Sequence, residues 1–500
     1  MSYDVLVVGG GIGGLTCAAL LAARGVSVCL VEREPEAGGC ALTREISGHS
    51  FEPGAGLYAA WHAGGIHERV FAELPVEAPE VREATPPYVL RLPGGEDVRV
   101  GGPAEEFYEG LRAAFPECER AAVAFYEEVL AVAGALERAA LRTPNLLEVS
   151  GLRRLKLLAS EPRLAPLVIK RAAHTAGEHL SKTSPRFRRF LDAQLQIYAQ
   201  ADADSCAYPY AAAALAQPLR GMHAMRGGGG ALASALAESV KLSGGTVRLN
   251  TTAIRLALDS QGRAAGVVLL TGETMEARRA VVSNLTVWDT YGKLLGTGAT
   301  PAGVRARLKS LRGWGAYQIF VSGDEAALAR LPSERVLALT GWGEGREFSP
   351  EGDLFMLSAA PDWDPRAPAG FRAVTVSAFT DAEQWFTFHT DEAEHERADQ
   401  SALEELWARM HAALPELGDG VEVVETATPR TFYERTRRRL GLVGTTPRTP
   451  DALGPQAFTH RTAIPNLYMT GDTVFPGNGL AAVTHSALVV ADEIAPPRKL

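Results

Sequence analysis

The stretch Tyr3-Asp-Val-Leu-Val-Val-Gly9-Gly-Gly11-Ile12-Gly13-Gly14, continued by Val26-Ser-Val-Cys-Leu-Val-Glu32, decides the fold of this 500-residue chain. Residues 3–8 read as a buried strand, Ile12 to Arg24 as an alanine- and leucine-rich helix, and Val26 to Glu32 as a second strand. Strand, helix and strand in that order predict a βαβ unit on a parallel sheet. The pattern Gly9-x-Gly11-x-x-Gly14 falls between the first strand and the helix, the context that gives it chemical meaning. Its first glycine permits the turn, the second lets backbone approach a pyrophosphate, and the third allows helix to pack closely on strand. Amides of Gly13 and Gly14 then face the phosphates with the positive end of the helix dipole. Glu32 closes the second strand, 18 residues after Gly14, where a carboxylate accepts hydrogen bonds from ribose hydroxyls. A dinucleotide site follows, and NAD and FAD share the half that this fingerprint reads.

The same stretch could pass for a membrane signal, because Val5 to Ala23 runs 19 residues without a charge between Asp4 and Arg24. Five glycines in its middle, and no basic region before it, make a loop the better explanation. No other apolar stretch approaches spanning length, so the chain reads as cytoplasmic, or attached at most peripherally to the inner membrane face. Fifty basic against 59 acidic side chains leave a formal charge of -9, which offers phosphate backbones no footprint and sets nucleic acid aside. Five cysteines (Cys17, Cys29, Cys40, Cys118, Cys206) form no C-x-x-C pair, unlike a disulfide framework or a zinc site, so a reducing compartment and no metal are expected. Glycine is in excess, at 51 of 500 residues against the usual share of about 7%, so tight backbone is required somewhere.

Outward from the opening, Pro79 to Gln217 reads as a largely helical block, with clear helices at Glu105 to Ala114 and Ala121 to Ala140. Gly227 to Gly230 then precede a helix-like Ala231 to Leu242, a strand at Thr246 to Asn250 and alternating apolar segments through Val282. Residues 300–425 mix strand-like runs (Ala316 to Val321, Ala373 to Ala378) with a helix at Glu392 to Ala413, and the chain closes on a strand at Leu467 to Thr470 and a helix at Leu480 to Ile494. The run Arg435, Arg437, Arg438 and Arg439 reads as a solvated surface, the usual fate of a short charge run, with a cofactor phosphate or anionic headgroup as the other reading.

Glu32-Arg33 followed by Gly38-Gly39 and Thr43 resembles the segment E-(K/R)-x4-G-G-x3-(S/T) of the flavin amine oxidase and phytoene desaturase superfamily. Phe51-Glu-Pro-Gly-Ala-Gly56 is similar to the segment of that superfamily that approaches the flavin ring. Leu467-Tyr-Met-Thr-Gly471-Asp472-Thr-Val-Phe-Pro-Gly-Asn-Gly479-Leu480 matches its carboxy-terminal flavin motif. With Ala463 to Tyr468 and Thr428-Pro-Arg-Thr431 added, the chain looks most like the carotenoid isomerase and desaturase branch, whose relatives include retinol saturases. The resemblance covers about residues 3–60, 222–290 and 426–494 and implies FAD, held by Gly9, Gly11, Ile12, Gly13, Gly14, Glu32, Arg33, Gly39, Cys40, Thr43, Gly56, Leu57, Ala253, Gly471, Asp472, Gly479 and Leu480. Independently of the family, Asp472 at a strand end can bond a polyol hydroxyl, and the helix opening at Leu480 can stabilise negative charge on a reduced flavin.

Four positions depart from the family pattern. Cys40 stands where many relatives carry Arg or Lys after the Gly-Gly pair, which removes a cation from the pyrophosphate neighbourhood; Glu52 replaces Asp, and Ala55-Gly56 replaces Gly-Pro or Gly-Ser. Cys40 reads as a small packing residue rather than a reactive thiol or a covalent flavin attachment, and Cys17 and Cys29 as core. His485 and His62 are the candidates for an acid or base near the flavin, each with a structural histidine as its other reading. No H-E-x-x-H, G-x-S-x-G or Walker sequence occurs, and no strand-like run leads into Gly227 to Gly230, so no second dinucleotide fingerprint is expected.

The fold expected is therefore α/β. It comprises an FAD-binding Rossmann-type (glutathione reductase-like) domain from residues 1–80, 220–300 and 426–500, with an interleaved α+β substrate or lid domain from 81–219 and 301–425. The activity expected is FAD-dependent desaturation or cis–trans isomerisation of a carotenoid or related long isoprenoid, with a quinone or other external electron partner. The other readings are an amine oxidase-like flavoenzyme and a non-catalytic protein that carries flavin and lipid. An apolar substrate further implies an apolar tunnel and a membrane-facing patch.

Overall fold

A computed structural model describes residues 2–143, 145–148, 151–162, 174–343, 348–386, 391–444, 446–453 and 457–497. The opening βαβ unit forms as expected: β1 (Ser2–Val8) and β2 (Val28–Val31) pair in parallel and α1 (Ile12–Ala23) crosses between them. Every residue of α1 from Ile12 to Ala22 is buried, because the helix lies between the sheet and the helices Gly228–Leu242 and Leu480–Ile494. That position explains the uncharged run: a helix enclosed on all sides must be apolar all round, whether lipid or protein encloses it. Its leucines contribute about 1.5–3 kcal/mol each by leaving water. Among the described residues, no helix is long and apolar enough to cross a membrane.

The first sheet runs Thr246–Arg248, β2, β1, Thr274–Ser283, Ala264–Leu269, Ala253–Leu258, and Leu467–Met469 also pairs with Thr274–Ser283. Its left side is parallel, its right side an antiparallel meander. Both ends of the chain and a central segment thus meet in one sheet, a Rossmann-type layer. The second sheet is built from Val421–Ala427, Gly315–Asp324, Phe371–Thr380, Leu354–Ala359, Arg335–Leu339, Tyr88–Arg91 and Asp97–Val100, in that order.

Three short strands correct the reading of residues 79–217 as a largely helical block. Val81–Ala84, Tyr88–Arg91 and Asp97–Val100 are strands. Tyr88-Val-Leu-Arg is a short run of strand formers behind Pro87, and a hairpin closed by Leu92 N–H to Glu96 O returns it at Gly94-Gly95. Downstream, helices Ala104–Ala114 and Glu119–Arg142 form where expected, as do Glu392–Ala413 and Leu480–Ile494. Phe107, Phe115, Tyr126, Phe187 and Phe190 close the helical core against one another. All five cysteines are free, and burial pushes the Cys17 thiol up to about 12 and the Cys29 thiol up to about 11, as inert core groups.

Candidate active site: a cavity between the two sheets

The amino-terminal glycine loop is shaped by contacts between backbones. Gly9 adopts φ +99°, and a Cβ on Gly14 would lie 2.1 Å from Gly9 O, so helix and strand close only without a side chain there. Glu32 braces the loop from outside, its Oε2 accepting from Gly10 N–H at 2.5 Å and its Oε1 from Glu34 N–H at 2.9 Å. Gly38 bridges to Gly11, and a Cβ on Gly39 would stand 3.1 Å from Gly11 Cα, so the two turns nest together.

Asn284, at the end of Thr274–Ser283, joins this loop to the carboxy-terminal one, and nothing in the sequence had marked it. A Cβ on Gly11 would come within 2.8 Å of Asn284 Nδ2, and Cβ atoms on Gly13 and Gly471 within 2.6 and 3.0 Å of Asn284 Oδ1. Oδ1 itself is buried without a hydrogen-bond partner. A cradle of bare backbone around an orphaned acceptor, at the positive end of α1, fits the diphosphate and polyol of a dinucleotide. Asp472 follows at the mouth of the carboxy-terminal loop, where Gly479 (φ +92°) opens the last helix.

The flavin-approach segment is held from the other sheet. Arg335 donates from Nε to Ala55 O (3.0 Å) and from Nη2 to Gly56 O (3.1 Å). Arg366 donates from Nη1 to Glu52 Oε1 at 2.9 Å, and also binds Asp364 and Met225 O. Gln318 donates to Pro53 O at 2.6 Å and Thr375 to Glu52 O at 2.8 Å. Burial raises the Tyr58 hydroxyl well above its ordinary pKa, and the Glu52 carboxylate beside it adds to the rise. Three side chains from the second sheet, and Arg366 from the loop between Leu354–Ala359 and Phe371–Thr380, therefore fix the segment around Glu52 to Gly56. Single polar side chains that reach distant partners leave no periodic signal, which is why none of the four could be picked out from sequence.

A cavity of about 450 Å³ opens between the two sheets, a size usual for cofactor and small-molecule sites. Of the residues expected at the cofactor, Gly11, Ile12, Gly13, Cys40, Gly56, Leu57, Gly471, Asp472, Gly479 and Leu480 line it. Gly9, Gly14, Glu32 and Gly39 lie directly behind that lining, and Thr43 packs under Gly230. Arg33 turns instead to Glu34 and to Arg435 O, and Ala253 starts the outer strand of the meander. His62 faces Glu137 Oε1 at 3.4 Å and His485 lies beside His460; neither is part of the cavity wall.

Two expectations need correcting. The arginine run is not wholly solvated: Arg435, Arg437 and Arg439 are exposed, but Arg438 turns inward and pairs with Asp472 Oδ2 at 2.9 Å. Burial disfavours its charge, but Asp472 and then Cys40 more than offset this and hold its pKa above the ordinary value. Nor is Gly227–Gly230 without a preceding strand, since Met222–Met225 leads into it. That strand belongs to a small antiparallel sheet, and its glycines serve packing: Cβ atoms on Gly228, Gly229 and Gly230 would meet Glu52 Oε1, Ala41 O and Thr43 Oγ1 at 2.1, 2.4 and 2.7 Å. The Cys40 thiol is open to the cleft yet crowded by protein, which raises its pKa, the opposite of an activated thiolate.

Comparison with known proteins agrees with this geometry. Residues 12–495 match the family of flavin containing amine oxidoreductases. Prolycopene isomerase 1 of an Oncidium hybrid cultivar is 28% identical, over 99% of this chain and 84% of its own. Human all-trans-retinol 13,14-reductase is 26% identical, over 98% of this chain and 85% of its own. Among solved structures, an oxidoreductase from Methanosarcina mazei superposes with a TM-score of 0.67 at 16% identity, over 98% of this chain and 100% of that one, a likeness of fold.

Proposed function

The chain belongs to the flavin containing amine oxidoreductase family, and from that premise we propose that it desaturates or cis–trans isomerises a carotenoid or related long isoprenoid. The observation that carries this reading is the distribution of charge around the cavity. Among the described residues, its charged lining residues are Glu52, Arg438 and Asp472, all in the cofactor half. The substrate half presents Tyr88, Ile197, Tyr198, Leu337, Leu354 and Met356, with the neutral Gln200, Gln217 and Gln318 between them, a wall suited to a polyene and, among the described residues, without an ion for a charged substrate. Bound FAD supplies the redox chemistry at the carbon–carbon bond. The chain does the rest: the glycine loops and Asn284 seat the diphosphate, Arg335 and Arg366 fix the segment beside the ring, and the apolar wall aligns the substrate and excludes water.

The electron partner on this reading is an external acceptor or donor such as a quinone. A cytoplasmic protein whose substrate partitions into lipid also needs contact with a membrane face. Helix Gly151–Ser160 supports that contact, with Leu152 and Leu155 77% and 63% exposed beside an exposed Lys156.

Anaerobic incubation with cis and trans carotenoids, with FAD oxidised or pre-reduced, tests the reading by chromatography and mass. Conversion at constant mass with reduced FAD identifies an isomerase, and loss of two hydrogens with oxidised FAD a desaturase. Peroxide release from amines, with isoprenoids untouched, overturns it in favour of an amine oxidase.

A further inference from the structure

We propose that Arg438 supplies, from the far end of the chain, the cation that residue 40 lacks, and that its free edge binds the diphosphate of FAD. The inference rests on the assignment of this cavity to FAD. Residue 40 follows the Gly38-Gly39 turn that nests against Gly11, so its side chain stands next to the dinucleotide loop. A thiol at that position brings no positive charge, and the nearby Asp472 carboxylate would by itself repel a diphosphate.

The guanidinium of Arg438 fills this gap. It lines the cavity together with Gly11 and Gly13, and its side chain is only 13% exposed. Nε donates to Leu442 O at 2.8 Å, and Nη2 donates to Gly444 O at 2.7 Å and faces Asp472 Oδ2 at 2.9 Å. Those acceptors hold the group in place from one side. Among the described residues, Nη1 meets only the Cys40 sulfur, at 3.8 Å, a weak acceptor. A planar cation fixed on one edge and poorly satisfied on the other is the arrangement that binds phosphate oxygens. The small thiol is then half of the device: an arginine at residue 40 would collide with Arg438 and repel it. One cation fits, and the chain brings it from position 438.

The test is a binding titration of the purified protein with FAD, ADP and riboflavin, followed by flavin fluorescence, with ADP measured by displacement. In R438M, FAD and ADP should bind between about tenfold and a hundredfold more weakly, with riboflavin changed less than about twofold. R438K should retain most of the affinity, and C40R placed in the R438M background should restore it. Unaltered FAD and ADP binding in R438M overturns the proposal, as does an equal loss for riboflavin. So does a loss that C40R cannot repair. If R438M melts at lower temperature than the wild type, R438Q, which keeps neutral hydrogen bonds to Leu442 and Gly444, carries the same comparison. Wild-type protein that binds no FAD would instead overturn the cofactor assignment.

Discussion

Where the cofactor half closes, backbone meets backbone; where the substrate half closes, side chain meets side chain. Gly14 against Gly9 O and Gly229 against Ala41 O leave no room for even one carbon, and Gly39, at φ +58°, stands so that a Cβ would lie 3.1 Å from Gly11 Cα. In the substrate half, Phe107 meets Tyr126 edge-on with centroids 4.8 Å apart, and Phe115 meets Phe187 at 5.4 Å. The first kind of contact dictates residue identity, because only glycine fits. The second kind dictates total volume, which many residue combinations can supply. On the proposed function, the first half is consequently constrained in residue identity and the second is free to vary with its substrate.

The sharpest way to break that contrast is to add one carbon to the first half and remove several from the second. Gly14→Ala, whose Cβ would lie 2.1 Å from Gly9 O, should cost about 3 kcal/mol or more and leave the purified protein without flavin absorbance. Phe190→Leu should cost about 1–2 kcal/mol by urea unfolding and keep the flavin. A Gly14→Ala protein that is yellow and fully stable would show that the loop tolerates what its geometry forbids.

Acid should separate the halves in opposite directions. Burial lowers the His67 pKa from 6.5 to about 3, so the folded cofactor half holds this ring neutral. Its contribution is present above pH 6.5 and is lost, at about 1.4 kcal/mol per unit, as pH falls toward 3. Burial, set against the Ala203 N–H bond, raises the Asp192 pKa from 3.8 to about 6 in the substrate half. That contribution is present below pH 3.8 and is lost as pH rises through 6. His67→Gln should flatten the acid side of the stability profile, and Asp192→Asn the limb between pH 4 and 6. Profiles that coincide with the wild type would remove both groups from the account.

A smaller effect tests the seam itself. Arg335→Met leaves Ala55 O and Gly56 O without their donor, which should cost about 1–3 kcal/mol and loosen flavin retention, read by dialysis against dilute buffer. An Arg335→Met protein that holds flavin as firmly as the wild type would mean that the first half shapes its site unaided.

The same contrast explains what could be read from the residues alone. Gly9 to Gly14, Glu32, Gly38-Gly39 and Gly471 to Gly479 are legible because close backbone approach admits one residue type at fixed spacing. The helix at 104–114 is legible from its apolar period, and that at 392–413 from its long run of helix-forming residues. Arg335 reaches carbonyls 280 and 279 positions earlier, and Arg366 a carboxylate 314 earlier; no local pattern encodes such pairs. The strands at 81–100 are only four residues long, within alanine- and glutamate-rich surroundings that suggest helix. Arg438 was visible as one of a run, but only the turn after helix Pro429–Thr436 separates it from its exposed neighbours.

The smallest expected effect on stability is the most informative about how the variable half obtains its substrate. Leu152 and Leu155 are 77% and 63% exposed, an arrangement that costs folding nothing and that water does not favour. If they meet a membrane, replacing both with serine should change unfolding free energy by less than about 0.5 kcal/mol. Each leucine that enters the interface contributes about 1.5–3 kcal/mol, so the double variant should lose most of its flotation with anionic liposomes. On the proposed function, conversion of carotenoid supplied in detergent should then persist while conversion of carotenoid in liposomes falls. Equal flotation by the wild type and the variant would move membrane contact away from this helix, and absence of flotation in both would leave the substrate half to take its isoprenoid from solution or from a carrier.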